Sequence, residues 1–276
     1  MESMNRLGTS ERVKVVCALV EGVGINATCR MTGVSKPTVL KLLSDLGRVC
    51  YAYHDAHVRG LKCKRVQCDE LWSFVGAKMK NASEEKVITQ HWGDSWTWTA
   101  LDADSKLMVS YLVGQRGPAW ARLFMEDIAS RIDSRIQLTT DGLKMYADAV
   151  EGVFGCEIDY AMLIKLYGND SFDTKYSPGE CIGTQSAVLM GNPDPKHIST
   201  SFVERQNLTM RMSIRRFTRL TNGHSKKLAN HEAAIALHYM HYNFCRIHSS
   251  LRVTPAMEAG LTNHVWSIEE LVGLLD

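Results

Sequence analysis

The chain of 276 residues lacks any long apolar run: no window approaches the roughly 18 uninterrupted apolar residues of a transmembrane helix. Its opening, Met1-Glu2-Ser3-Met4-Asn5-Arg6, leads into no apolar stretch, so no secretory signal is expected. The eight cysteines include no Cys-x-x-Cys; the nearest pair, Cys63 and Cys68, has no second pair to complete a zinc site. Reduced thiols in a cytoplasmic protein are the matching expectation. A 45% hydrophobic, 22% charged composition is that of an ordinary globular protein and excludes wholesale disorder. Net charge is scarce too, at +2. Taken whole, that balance argues against a polyanionic partner, but only if the charges are evenly mixed.

They are not. Residues 1–65 carry 11 Lys/Arg against 5 Asp/Glu, residues 66–204 carry 12 against 20, and residues 205–276 carry 9 against 5. The segments are therefore +6, −8 and +4. Basic flanks can grip a polyanion, and a carboxylate-rich centre can hold the metal ions that let a phosphate approach.

In the first basic segment, Ser10-Glu11-Arg12 opens a helix with Val13, Val16, Cys17 and Val20 at helical spacing. A short helix follows over 25–31. Gly33 suits a positive φ in the next turn and Ser35 the N-cap of a third helix, with Pro37 in its first turn. That helix continues to Leu46 with Val39, Leu42 and Leu43 apolar. Ala27, Gly33-Val34-Ser35 and Thr38-Val39 resemble a helix-turn-helix, whose third helix enters the major groove. Ser35, Lys36, Thr38 and Lys41 then face phosphates or base edges. The alternative is a three-helix packing unit with a solvated lysine face. Residues 49–65 read as a linker, giving a domain boundary near residue 60.

In the acidic centre, strands are expected over 65–76, 95–102, 106–113, 135–142 and 156–160, with a helix from Pro118 to about Ile132 and another over 143–150. Three strands followed by alternating helices and strands predict a mixed α/β sheet with helices on its faces. Residues 165–198 lack periodicity and read as a long functional loop. A helix then begins near Ser199 or Ser201 and passes Arg211.

Three carboxylates stand out: Asp69 within the first strand, Asp141 ending the fourth, and Glu204 in the first turn of the helix after the loop. Carboxylate oxygens suit Mg²⁺, and two such ions can activate an attacking oxygen and stabilise the leaving one. Each acid has a bland alternative. Ser201-Phe202-Val203-Glu204 fits a capping box, Asp141-Gly142 fits a turn, and Asp69 could be a compensated strand acid. Glu70 points to the opposite strand face from Asp69 and ranks below it as a ligand. Asp102 and Asp104 read as turn residues.

The same residues carry a family resemblance. Asp69-Glu70-x-Trp72-x-Phe74-Val75-Gly76-Ala77-Lys78 resembles the first catalytic block of bacterial DDE transposases of the insertion sequence one family. Thr140-Asp141-Gly142 resembles the second block, and Glu204-Arg205-x-Asn207-x-x-x-Arg211 the third, at intervals of 72 and 63 residues. Tyr242-Asn243-x-x-Arg246-x-His248 and Thr254-Pro255-Ala256 resemble the end of such domains. The likeness covers roughly residues 65–260. It implies a ribonuclease H-like catalytic domain over 61–276 with a basic helical tail, behind a helix-turn-helix domain over 1–60. It further implies Asp69, Asp141 and Glu204 as ligands of two Mg²⁺ ions (Mn²⁺ substituting), with Arg211 on a DNA phosphate. Members of that family often carry Cys-based zinc segments at the N-terminus; this chain shows none.

Between Arg205 and His231 stand seven Lys/Arg, including Arg205, Arg211, Arg215, Arg216 and Arg219, and no Asp or Glu. A run of unopposed cations raises phosphate affinity. His231, His238, His241 and His248 read as core-edge or DNA-facing residues of the following helix rather than a metal cluster. The expected function is DNA transposition: metal-dependent cleavage at element ends and transfer of a 3′-OH into double-stranded target DNA, by a dimer or higher oligomer. The alternatives are an inactive, regulatory sequence-specific DNA-binding protein derived from a transposase, and a nuclease of the same fold without strand transfer.

Overall fold

The computed structural model describes residues 7–168, 181–218 and 221–276. Three helices come first: α1 (Thr9–Val20), α2 (Ile25–Thr32) and α3 (Lys36–His57). The middle of the chain holds β1 (Arg65–Val75), α4 (Glu84–Gln90), β2 (Gly93–Asp102), β3 (Met108–Gly114), α5 (Pro118–Ala129), β4 (Gln137–Asp141), α6 (Met145–Phe154), β5 (Asp159–Tyr167) and β6 (Cys181–Met190). Helices α7 (Ser201–Ser213), α8 (Leu228–Met240), α9 (Pro255–Glu258) and α10 (Ile268–Gly273) close it. The chain divides into two compact units. One comprises the chain up to Arg59, Trp72–Thr97 and Gln206–Asp276; the other comprises Gly60–Leu71 and Trp98–Arg205. Among the described residues no helix is long and apolar enough to cross a membrane.

The first unit is mainly helical. Gly33 takes the left-handed conformation (φ 75°) that ends α2, and Ser35 stands at the N-cap of α3. The Ser35 hydroxyl bonds Thr38 Oγ1 at 2.8 Å rather than a helix amide. The third helix is longer than expected, because Leu46, Cys50 and His54 continue one buried stripe at four-residue spacing. A histidine in the stripe hides its last turn from a reading by hydrophobicity, so 49–57 is helix and not linker. On α1 the buried face includes Val15, Val16 and Arg12, while Cys17 is exposed. The Arg12 guanidinium donates to Leu7 O at 2.9 Å and pairs with Asp276 at 3.1 Å, which lets a cation sit in that face. Helices α3 and α8 approach so closely that a Cβ on Gly47 would lie 2.4 Å from Ala233.

The second unit carries most of a six-stranded mixed sheet in the order β3-β2-β1-β4-β5-β6; β1 and β2 also contribute residues to the first unit. β1, β4 and β5 run parallel, and β6 returns antiparallel to β5. Fully buried Trp98 meets Phe124 and Tyr146 with ring centroids 5.8 and 5.6 Å apart, fixing α5 and α6 to the sheet. The turn at Asp102 forms as expected, its Oδ2 accepting from Ser105 N at 3.0 Å. Within the stretch expected to be irregular, 165–198, the described residues include strand: β5 runs on to Tyr167 and β6 fills 181–190. Most of β6 is exposed, so neither face imposes the apolar alternation that marks a strand in sequence. Pro178 and Gly179 of that stretch, like Arg219 of the basic run, lie outside the described residues.

Candidate metal centre and DNA-facing residues

The centre forms where two parallel strands part. β1 pairs with β4 only from Arg65↔Gln137 to Gln67↔Thr139, whereas β4 stays paired with β5 as far as Asp141↔Leu163. Two steps further along the first register, Asp69 stands beside Asp141. Side chains in register on neighbouring parallel strands share a face, so both carboxylates leave the sheet on the same side.

That face is organised by Gln67, two residues before Asp69 and 3% exposed. Its Oε1 accepts the backbone N–H groups of Phe202 (2.9 Å) and Val203 (3.1 Å) at the start of α7. An α-helix begins with amides that lack intrahelical partners, and Gln67 supplies the acceptor from the strand. The first turn of α7, which bears Glu204, is thereby tied to the strand that bears Asp69. Glu204 does not act as a capping box with Ser201. Its Oε1 accepts from Thr200 Oγ1 at 2.5 Å, and its Oε2 forms an ion pair with Lys165 of β5.

One carboxylate oxygen each from Asp69, Glu70 and Asp141 lie within 4.8 Å of one another, the one such acidic, cysteine or histidine group among the described residues. Glu70 is the member that strand alternation ranked low. Its longer side chain closes on the two aspartates where β4 ends and leaves room. The side chain is 2% exposed, and Arg116 Nη2 stands 3.4 Å from Oε2. Its Oε1 and the Tyr146 hydroxyl are both buried, close enough to influence each other but outside hydrogen-bond geometry. Burial and the Asp141 charge push the Glu70 carboxyl up to about 7, with Asp69 adding to the shift; Tyr146 and Arg116 oppose it. Asp141 is raised as well, first by burial, although the Leu143 amide at 3.0 Å and Arg116 favour its charge. Glu204 is near enough for its charge to contribute to that rise.

Converging oxygen donors, a buried carboxylate oxygen outside hydrogen-bond geometry and carboxyls raised first by burial and then by neighbouring carboxylate charge make a donor set that suits a hard divalent cation. Of the three acids expected from sequence, the cluster holds Asp69 and Asp141 and not Glu204. Glu70 had ranked below them, and Gln67 and Lys165 were not singled out, since their roles come entirely from what lies across the sheet.

The DNA-facing residues expected from sequence lie in varied surroundings. Ser35 and Lys36 are exposed and Thr38 is half-buried. Lys41 is exposed but pairs with Asp45 at 2.5 Å. Arg205 and Arg215 are exposed, and Arg211 is half-buried. Arg216 is turned inward: its Nη1 donates to Ser225 Oγ at 3.1 Å, its Nη2 is buried without a partner, and burial pulls its pKa down to about 10.

No family model and no curated protein matches the chain. Several solved structures match its trace loosely, these among them. A cryo-EM structure of the piggyBac transposase synaptic complex with hairpin DNA is 10% identical with a TM-score of 0.39, over 100% of this chain and 72% of that one. A Mos1 strand transfer complex is 13% identical with a TM-score of 0.23, over 56% and 58%. A Mos1 transposase paired-end complex with left transposon end is 11% identical with a TM-score of 0.22, over 55% and 59%. Likenesses this loose leave the function to be read from the chain's own residues.

Proposed function

We propose that the protein is a DNA transposase: it binds the ends of an insertion sequence, cuts DNA there with divalent metal, and joins the freed 3′-OH to target DNA. The observation that carries this reading is the convergence of Asp69, Glu70 and Asp141 at the parted ends of β1 and β4, with a buried Glu70 oxygen outside hydrogen-bond geometry. The sheet order and the parallel β1, β4 and β5 agree with the ribonuclease H-like core that the sequence resemblance implies.

In this reading Asp69 and Asp141 are the principal ligands, Glu70 a further oxygen donor, and Glu204 the third acid of the resemblance. Bound Mg²⁺ (or Mn²⁺) would lower the pKa of a water and polarise the phosphate. The chain's own part is positional. Gln67 fixes the start of α7, and with it Glu204, against β1. Lys165 holds Glu204 and puts a cation where a scissile phosphate needs one. Ser35, Lys36, Thr38 and Lys41 on α3, with Arg205, Arg211, Arg215 and Arg216, supply contacts to double-stranded DNA. Joining two element ends calls for a dimer or higher assembly on DNA.

The test is a Mg²⁺-dependent nicking and strand-transfer assay on DNA carrying the native element ends. Wild-type protein is expected to nick and join, and Asp69→Asn to bind the same DNA without cutting it. Full cleavage by Asp69→Asn overturns the reading. Binding without cleavage by the wild type points to the regulatory DNA-binding alternative, for which the Glu204–Lys165 pair is the favouring observation, since a carboxylate already matched to a lysine is a weaker metal ligand.

A further inference from the structure

Within the unit that contains the N-terminal helices lies a cavity of about 840 Å³, lined by parts of α1, α2, α3 and α8 and by the segment after α7. Arg30, Lys36, Arg215, Arg216, His224 and Lys226 all line it, and among the described residues no aspartate or glutamate does. Cation-only linings are unusual, because side-chain ammonium and guanidinium groups close together repel one another unless an anion joins them.

Arg216 is the built part of this wall. The Ser73 hydroxyl donates to Ser95 O at 2.9 Å, so its oxygen accepts from His231 Nε2 at 3.1 Å. With the proton on Nε2, His231 Nδ1 accepts the Ser225 hydroxyl at 2.9 Å, and Ser225 Oγ accepts from Arg216 Nη1 at 3.1 Å. Every proton in this chain has one direction. It requires a neutral His231, and burial with the nearby Arg216 charge holds that imidazole down at about 3. Ser225 and His231 are both 0% exposed, so the guanidinium is held by buried groups. None of them carries a negative charge, and Nη2 has neither a protein partner nor access to water. A guanidinium held partly out of water without counter-charge is destabilising. The arrangement is preorganised at the cost of stability.

We propose that this cavity is a receptor for a phosphoryl group carrying an organic body: Arg216 supplies fixed counter-charge from the wall, and exposed Arg30, Lys36, Arg215 and Lys226 supply the hydrogen bonds. The volume is larger than a bare phosphate fills, and Leu40 and Leu237 offer apolar wall for the rest of a phosphoester. Such a group comes either from the backbone of DNA or from a free nucleotide; the recognition chemistry is the same. The backbone-phosphate source rests on the proposed function, which already gives Lys36, Arg215 and Arg216 to DNA; the free-nucleotide source does not, and neither needs metal or cleavage.

The experiment is calorimetric titration of the full-length protein in metal-free buffer, at ionic strength held constant with chloride, using inorganic phosphate and then thymidine 5′-monophosphate. Saturable 1:1 binding is expected for both, tighter for the nucleotide. Arg216→Gln is expected to weaken binding at least about tenfold, the loss of one charged partner. Should Arg216→Gln fail to fold, Lys226→Gln and Arg30→Gln on the exposed wall keep the test open, each expected to weaken binding about threefold. Heats no greater than those of chloride, or variants that bind as the wild type does, overturn the proposal. Repeating the titration with a saturating short duplex decides the source. Lost nucleotide binding assigns the cavity to a backbone phosphate, and unchanged binding assigns it to a free nucleotide; either way the receptor stands.

Discussion

Glu70 and Arg216 make an instructive pair. In the unit built from Gly60–Leu71 and Trp98–Arg205, Glu70 is a carboxylate 2% exposed among other carboxylates, pushed up to about 7. In the unit of the N-terminal and C-terminal helices, Arg216 is a guanidinium without a carboxylate partner, pulled down to about 10. Each keeps one buried polar atom without a hydrogen bond. Packing alone would replace both with apolar residues, since a buried charge costs more than a well-packed side chain of similar size. The two sites store the same kind of instability with opposite sign, which matches one to a cation and the other to an anion.

The comparison breaks most easily at the aspartates. Asp69→Asn and Asp141→Asn are expected to reduce metal-dependent DNA cleavage by about a thousandfold or more while circular dichroism stays unchanged, since each removes a ligand that no neighbour replaces. Cleavage within about tenfold of wild type in both would remove the cation from the acidic side of the comparison.

Glu70 sharpens it through pH. A carboxyl raised in the folded state binds its proton more tightly there than in the unfolded chain, so its contribution to stability is full below about 4.5 and is lost as pH rises through about 7. In metal-free protein Glu70→Gln is therefore expected to stabilise at pH 8, by up to about 3 kcal/mol relative to wild type. Added Mg²⁺ should stabilise the wild type more than the variant. Denaturant melts at pH 5 and pH 8, with and without metal, read all four arms; identical curves for the two proteins would show that Glu70 is not strained.

Two structural contrasts follow. Gly47→Ala forces a methyl into Ala233 of α8 and is expected to cost about 1–3 kcal/mol in chemical denaturation, with the helical unit melting first. Gln67→Ala leaves two amides of α7 without their acceptor. About 1 kcal/mol of stability should go, along with cleavage activity, because Glu204 loses its reference to β1. The smallest effect is expected of Lys165→Met. The pair with Glu204 is about a third exposed on both sides, so stability should change by less than about 1 kcal/mol in thermal denaturation.

The elements legible in the sequence were those that bury one face. Strands β1–β4, helix α5 and the three N-terminal helices all announce themselves by period or by turn chemistry, down to Gly33 at the end of α2. The misread segments share a cause. In β6 almost nothing is buried, and the last turn of α3 is buried through a histidine, so hydrophobic pattern and burial part company. The candidate site divides in the same way. Asp69 was conspicuous because a carboxylate in an apolar strand needs compensation, but the alternation argument that favoured it demoted Glu70. Alternation fixes where a Cβ points; it does not say that the neighbouring strand ends there and opens space for a longer side chain to turn in.

By itself, the sequence determined the segregation of charge, a mixed α/β centre between basic helical flanks, and the place of two strand-borne aspartates, because these depend on local spacing. Only the tertiary structure decided that Asp69 and Asp141 stand side by side, that Glu70 joins them, that Gln67 holds the helix of Glu204, and that Arg216 is held on a relay of Ser225, His231 and Ser73. Each of these joins residues far apart in the chain through strand register or a shared cavity, and the partner that gives a charge its pKa and its purpose is absent from the charge's own sequence neighbourhood.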